Sequence, residues 1–205
     1  MLVMVRWMLL AMGASAAACA DGYTGVLSAD GGSSGGSSGA LEECVVPDAQ
    51  PLFNSGEVTL QSEVIGERTY DFDRGAFGEI VRDGTPYNQG AHLRFLSGNF
   101  VVAIQGGDYG TIVDLGYDRD VKARTGVGEC TGFEGLAVVG GVFNDPNAEA
   151  VWTKQPNWND QVAAIADHVY VIHITRDKPD LIVKLIVQEL SADRVHFRWA
   201  RITAP

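Results

Sequence analysis

The sequence contains few cysteines, few histidines and few basic residues, and these shortages exclude several classes of protein. Only 15 Lys and Arg residues oppose 26 Asp and Glu residues, which gives a formal net charge of −11 over 205 residues. Because nucleic-acid binding needs a basic surface to neutralise phosphates, this balance argues against DNA or RNA as a partner. The 4 histidines include no pair at the spacing of a metal site, and no cysteine stands near one of them.

Recognisable catalytic motifs are also missing. The chain has no serine nucleophile elbow, no Walker loop for phosphate and no His-Glu-x-x-His zinc motif. Carboxylates are abundant, but none form a pair diagnostic of glycoside hydrolysis. We therefore expect a protein that is not an enzyme, with an unrecognised hydrolase on a β-sandwich as an alternative.

The first 19 residues have the features of an export signal. A short positive segment ends at Arg6, and the apolar core that follows it, residues 7–12, is too short to span a bilayer. Small residues then lead to Cys19. This resembles a bacterial lipoprotein signal, which implies that Cys19 carries acyl chains such as palmitate and becomes the new N-terminus. Cleavage as an ordinary Ala-x-Ala signal, with Cys19 incidental, is the alternative.

A stretch of glycine and serine separates the signal from the rest of the chain. Residues 30–39 contain only Asp, Gly and Ser, a composition that behaves as a flexible coil because it has no side chains to bury. We therefore predict a signal peptide at 1–19, a tether at 20–40 and one folded domain at 41–205. We expect the lipidated N-terminus to anchor the domain in a lipid bilayer, at the outer membrane or cell surface of a bacterium, with the domain exposed outside the cytoplasm.

The two remaining cysteines, Cys44 and Cys130, are predicted to form a disulfide. Export leads to an oxidising compartment, and an even number of cysteines permits complete pairing. Closing so long a loop contributes up to about 4 kcal/mol in the chain-entropy model. Two buried free thiols are the alternative.

The strongest structural signal is a β-meander over residues 167–202. Three runs rich in Val, Ile and aromatic residues are separated by turn-forming residues at 175–180 and 191–193. The last run alternates, which places Val195, Phe197 and Trp199 on one dry face. The middle run, 181–187, is apolar on both faces except for Lys184, as in a central strand covered on both sides.

The rest of the domain predicts further antiparallel strands. Gly66–Glu67 and Gly98–Asn99 are hairpin signals, and residues 116–135 look irregular. A short helix at 160–166 is predicted next, with a strand at 162–165 paired with His168 as the alternative. The total is about nine to ten strands with at most one short helix, an all-β antiparallel sandwich or partly open barrel. The predicted strands are 57–65, 68–73, 92–97, 100–105, 111–115, 136–140 and 150–152, with a short one at 80–81; 92–115 would form a second meander.

The second face of the C-terminal meander carries the candidate ligand site. His173, Lys184, His196 and Arg198 could form a small cationic patch there that receives a carboxylate. A solvated sheet face explains the same residues and is the more common arrangement. Two acidic segments, 71–75 and 114–120, resemble calcium loops but lack the closing Glu of an EF-hand.

Three segments of the domain carry a resemblance to a known family. They are Val-Tyr-Val-Ile-His-Ile-Thr at 169–175, Leu-Ile-Val-Lys-Leu-Ile-Val at 181–187 and Val-His-Phe-Arg-Trp at 195–199. With the lipoprotein signal, they look like the HmuY-like lipoproteins, an all-β haem-binding family of bacterial outer surfaces. The resemblance implies haem held by two axial histidines or methionines. His92 and His173 are candidates by residue type, since no Met follows Met12. A structural envelope lipoprotein without a small ligand is the alternative function.

Overall fold

The architecture is visible for most of the chain beyond residue 43. The structure, a computed structural model, describes residues 44, 46, 48–49, 52–82, 85–88, 91–102, 109–126, 128–153, 161–175 and 179–202. The predicted signal peptide, Cys19 and the predicted tether lie outside the described residues. No described helix is long and apolar enough to cross a membrane.

The described residues contain fourteen strands and three short helical segments, more than the sequence predicted. Elements only two to four residues long carry too little periodicity to be recognised from sequence. The strands are β1 (Leu52–Gln61), β2 (Thr69–Asp71), β3 (Ala76–Phe77), β4 (Glu79–Arg82), β5 (Thr85–Asn88), β6 (Leu93–Leu96), β7 (Asn99–Val102), β8 (Tyr109–Tyr117), β9 (Val138–Val139), β10 (Val142–Phe143), β11 (Gln161–Ala163), β12 (His168–Thr175), β13 (Leu181–Leu190) and β14 (Arg194–Ile202). The helical segments are α1 (Asp118–Thr125), α2 (Gly132–Gly135) and α3 (Ala150–Thr153).

The main sheet has the strand order β1–β14–β13–β12–β8, and every neighbouring pair is antiparallel. It contains the predicted C-terminal meander, which is confirmed. Strand β13 lies at its centre, and each residue from Leu181 to Leu185 is buried, as a strand covered on both faces requires.

The second sheet has the order β11–β7–β6–β2–β3. Strands β6 and β7 form the predicted hairpin, and its two central residues, Ser97 and Gly98, have φ values of 48° and 77°. Positive φ at both positions is the requirement of the type I′ turn that matches strand twist. The two sheets remain open, so the fold is an all-β antiparallel sandwich and not a barrel.

Several predicted pairings were wrong because neighbouring strands enter different sheets. Strands β1 and β2 flank Gly66 but belong to the main and second sheet, so the turn between them is a corner and not a hairpin. Strand β8 pairs with β12 and does not complete a meander with β6 and β7. Residues 161–163 form a strand and not a helix, and it pairs with β7 instead of with His168.

An aromatic core fills the space between the two sheets. The Trp199 ring centroid lies 5.2 Å from that of Phe72 and 5.8 Å from that of Tyr70. Phe100 of the second sheet contacts Phe197 of the main sheet at 5.8 Å in an edge-to-face arrangement. Because Val195, Phe197 and Trp199 are all buried in this layer, the predicted dry face is confirmed.

A third layer, residues 118–153, covers the opposite face of the main sheet. Its core joins Val121, Phe133 and Phe143 of this segment to Val171 of β12 and Ala200 of β14. The prediction of an irregular stretch at 116–135 was wrong, since α1 and α2 lie there, and the strand predicted at 150–152 is helix α3. Helix α1 buries only Val121, so it has no apolar stripe by which a sequence would reveal it.

The predicted disulfide between Cys44 and Cys130 is present. The two Cα atoms are 5.7 Å apart, and 86 residues separate the cysteines in sequence. The bond joins the chain ahead of β1 to the connection between α1 and α2. It therefore fastens the start of the domain to the layer that covers the main sheet.

Candidate functional site

Lys184 is buried at the centre of the main sheet and does not lie on a solvated face. Its side chain is 1% exposed, and its Nζ donates hydrogen bonds to the carbonyl oxygens of Phe133 (2.7 Å), Glu134 (3.3 Å) and Leu136 (2.8 Å). The prediction of a solvated cationic patch is wrong for this residue. The cover over it comes from a segment about fifty residues earlier in the chain, which strand periodicity cannot reveal.

The three acceptors explain why a lysine is buried at this position. Helix α2 has one turn, so its last carbonyl groups have no intrahelical donors and need other partners. The ammonium group supplies those hydrogen bonds and complements the negative end of the helix. Burial lowers the pKa of Lys184 to about 8, although the carboxylate of Glu134 acts in the opposite direction. Lys184 therefore serves as a clamp on α2.

Arg198 lies beside this clamp at the edge of the covered region. It forms an ion pair with Glu134, and its Cζ lies 4.5 Å from the ring centroid of Phe133, on which Lys184 Nζ also rests at 4.8 Å. The Arg198 side chain is 32% exposed. It thus holds α2 from the solvent side while keeping part of its guanidinium accessible.

His196 is the most accessible of the four histidines. Its side chain is 27% exposed, against 9–11% for the other three. Its Nδ1 is 2.9 Å from Thr59 Oγ1, and its Nε2 is 4.0 Å from Glu57 Oε2. The predicted patch is therefore divided: His196 and Arg198 remain at the surface, while Lys184 and His173 are covered.

His173 and His92 lie on opposite sides of the main sheet. His173 alternates with Ile172 and Ile174, which face the inter-sheet core, so it faces the third layer, where its Nε2 is 2.8 Å from Asp180 Oδ2. His92 lies at the inter-sheet side, stacked on Phe72. The structure does not bring these two candidate haem ligands together.

Two carboxylates of the acidic segment at 71–75 lie close to a histidine. One potential metal-ligand atom on each of Asp71, Asp73 and His92 lies within 4.8 Å of the other two. All three side chains already have hydrogen-bond or ion-pair partners within the protein. His92 Nδ1 accepts a hydrogen bond from the Phe72 amide at 3.1 Å, and Asp71 Oδ1 accepts from the Asp73 amide at 2.9 Å. Asp73 pairs with Arg201 at 3.1 Å. This arrangement stabilises a turn and does not resemble a calcium loop.

The second calcium-like segment, 114–120, is also divided between structural partners. Asp118 Oδ1 accepts a hydrogen bond from the Phe133 amide at 2.7 Å, while Asp114 turns to His168. A shared cation would need these carboxylates to converge, and they do not.

Asp114 and His168 form a dyad that sequence reasoning missed. His168 Nδ1 lies 2.9 and 3.0 Å from the two carboxylate oxygens, and the ring of Tyr117 covers the imidazole edge-on at 4.3 Å. Burial raises the pKa of the neighbouring Tyr170, and the Asp114 charge adds to the effect. Within the described ranges, His168 Nε2 has no hydrogen-bond partner, so no hydroxyl nucleophile is poised beside it.

A cleft of about 370 Å³ opens at one end of the main sheet, and the sequence contained no motif that pointed to it. It lies beside the turn that joins β13 to β14. Its lining residues are Gln61, Glu189, Leu190, Ser191, Asp193 and Arg194.

Comparison with known proteins finds no matching family model, no similar curated protein and no similar solved structure. The resemblance to HmuY-like lipoproteins therefore stays a prediction.

Proposed function

We propose that this chain is a membrane-tethered domain, held outside the cytoplasm of a bacterium, that binds a ligand or a partner protein. The disulfide between Cys44 and Cys130 is the observation that carries the proposal. Its first cysteine, Cys44, lies five residues after the end of the glycine–serine stretch. Disulfide bonds persist in oxidising compartments, which lie outside the cytoplasm. The export signal ending at Cys19 supports the same conclusion.

A binding role is favoured over catalysis because the charged groups at the candidate site have structural tasks. Lys184 is enclosed by backbone carbonyls and cannot reach a substrate. Arg198 holds Glu134, and the Asp114–His168 dyad has no nucleophile beside it in the part of the chain that the structure describes. A structural envelope lipoprotein without a small ligand is the alternative.

Anchoring is tested by metabolic labelling with a palmitate analogue. We expect the wild-type chain to be labelled and to sediment with membranes, and Cys19→Ser to lose both properties. Cys130→Ser is the matched control, because it also removes one cysteine but leaves Cys19 for acylation. Undiminished labelling of Cys19→Ser would contradict the proposed anchor.

Haem is one ligand within this proposal, and the resemblance to HmuY-like lipoproteins is what supports it. His92 and His173 lie on opposite sides of the main sheet, so His196, the most exposed histidine, is the candidate ligand. If haem binds there, micromolar hemin will shift its Soret band with the wild-type chain and with His173→Ala, but not with His196→Ala. Absence of any shift would remove haem and leave a protein or other ligand as the partner.

A further inference from the structure

Two turns meet at one end of the main sheet. The turn after β1, residues 62–68, lies against the β13–β14 turn, and the Ser62 amide donates a hydrogen bond to the Asp193 carbonyl at 2.8 Å. The cleft described above opens beside this junction. We call residues 61–68 and 189–194 together the turn cleft.

The turn cleft exposes three aliphatic side chains. Val64 is 39% exposed, Ile65 is 50% exposed and Leu190 is 37% exposed. Among the described residues, these are three of the seven large hydrophobic side chains with such exposure. Val64 and Ile65 lie in one turn, and Leu190 is the last residue of β13 before the adjoining turn. Each gains stabilisation if a partner removes it from water.

The same two segments carry more acidic than basic side chains. Glu63, Glu67, Glu189 and Asp193 oppose two arginines, Arg68 and Arg194, within the turn cleft. Arg194 is held by Glu189 at 2.9 Å. The turn cleft therefore combines three exposed aliphatic side chains with twice as many acidic as basic residues, on a chain whose net charge is −11.

We propose that the turn cleft docks a segment of a partner protein that carries both basic and aliphatic side chains. Basic groups complement the excess of acidic side chains in the turn cleft, and aliphatic groups cover Val64, Ile65 and Leu190. A second copy of this chain would place like charges opposite each other, and an anionic membrane would be repelled in the same way. The inference rests on the proposed binding role, for which it names a surface and a partner class.

The test uses the full chain carrying Cys19→Ser, labelled with ¹⁵N, and the synthetic peptide Lys-Leu-Lys-Val-Lys-Leu-Lys. We expect saturable amide shifts concentrated at 61–68 and 189–194. Ile65→Ser should weaken binding roughly five- to tenfold, the effect of losing one buried aliphatic side chain. Glu63→Gln should weaken it less and should reduce its dependence on salt.

Matched variants elsewhere on the surface separate docking from general attraction to an acidic protein. Val142→Ser alters a side chain that is 57% exposed, and Asp120→Asn removes an exposed carboxylate on α1. Both should change the peptide affinity less than twofold. Equal weakening by these controls, unsaturable shifts spread over the surface, or equal binding of the peptide with Glu in place of Lys would overturn the inference.

Two further measurements decide between occupants. Concentration-dependent dimerisation that Ile65→Ser abolishes would assign the turn cleft to a second copy and overturn the inference. Flotation with phosphatidylglycerol vesicles, lost in the same variant, would assign it to lipid with the same consequence. Because palmitate labelling at Cys19 is measured independently, failure of peptide docking is distinguishable from failure of the proposed anchor.

Discussion

Replacing Lys184 by methionine tests whether a buried ammonium group holds α2 on the main sheet. Methionine keeps an unbranched side chain of similar length but cannot donate a hydrogen bond. The carbonyl oxygens of Phe133 and Leu136, which lie 2.7 and 2.8 Å from Nζ, would lose their buried donor.

The expected loss of stability follows from two opposing effects. Leaving two buried carbonyl groups unpaired costs about 1–3 kcal/mol each. Removing a buried cation offsets part of this, because burial disfavours the charged form and lowers the Lys184 pKa to about 8. We expect Lys184→Met to lower the free energy of unfolding at pH 7 by about 1–3 kcal/mol.

The pH dependence is the sharper result. The unfolded chain keeps the Lys184 proton up to its ordinary pKa of 10.5, whereas the folded chain releases it near its pKa of about 8. Unfolding therefore takes up a proton in this window, and stability rises with pH by about 1.4 kcal/mol per unit. Between pH 8 and 10 the wild-type chain should gain about 2–3 kcal/mol over the variant.

Urea unfolding at pH 7, 8, 9 and 10 measures this difference, in a Cys19→Ser background that prevents thiol exchange. Burial raises the pKa of Tyr70 and Tyr170, so above pH 10 their ionisation favours the unfolded chain and opposes the effect of Lys184. Lys122→Met is the control, since Lys122 bonds one carbonyl in an exposed position. A stability gap between wild type and Lys184→Met that stays constant with pH would refute the reasoning.

Two other substitutions test the attachment of the third layer. Gly132→Ala would place a Cβ 2.1 Å from the Asp118 carbonyl oxygen and 2.8 Å from the Lys122 amide nitrogen. We therefore expect about 2–4 kcal/mol of destabilisation, measured by thermal unfolding. A variant with unchanged melting temperature would show that α2 is not held this close to α1. Cys130→Ser should lower the stability by up to about 4 kcal/mol. A dithiol reductant should lower the free energy of unfolding of the wild-type chain to that of Cys130→Ser and should leave the stability of the variant unchanged. If the reductant did not change the stability of the wild-type chain, a stabilising bond between Cys130 and Cys44 would be contradicted.

The candidate site shows where local sequence information ends. The alternation of Val195, Phe197 and Trp199 depends only on the two-residue period of a strand, so it could be predicted. The same reasoning placed Lys184 on a solvated face. This was wrong because residues 133–136, which are distant in sequence, cover the Lys184 side chain. A lysine among apolar residues has no local feature that distinguishes a solvated side chain from one bonded to distant carbonyls.

The turn cleft was missed for a related reason. Val64 and Ile65 read as the end of a strand, and Leu190 reads as the end of another. The pairing of β1 with β14, which ends with Gln61 opposite Arg194, and the hydrogen bond from Ser62 to Asp193 bring these two turns together. Because the two turns are more than a hundred residues apart in sequence, no local sequence motif connects them.

The sequence by itself determined the antiparallel β class, the C-terminal meander, the β6–β7 hairpin and the two cysteines able to pair. Side-chain periodicity and turn chemistry act over a few residues and need no distant partner. The tertiary structure alone decided which sheet each strand joins, that a third layer covers the second face of the main sheet, and that Lys184 clamps α2. Those outcomes depend on long-range packing, since a strand's pattern specifies which of its faces is apolar but not which neighbours bury it.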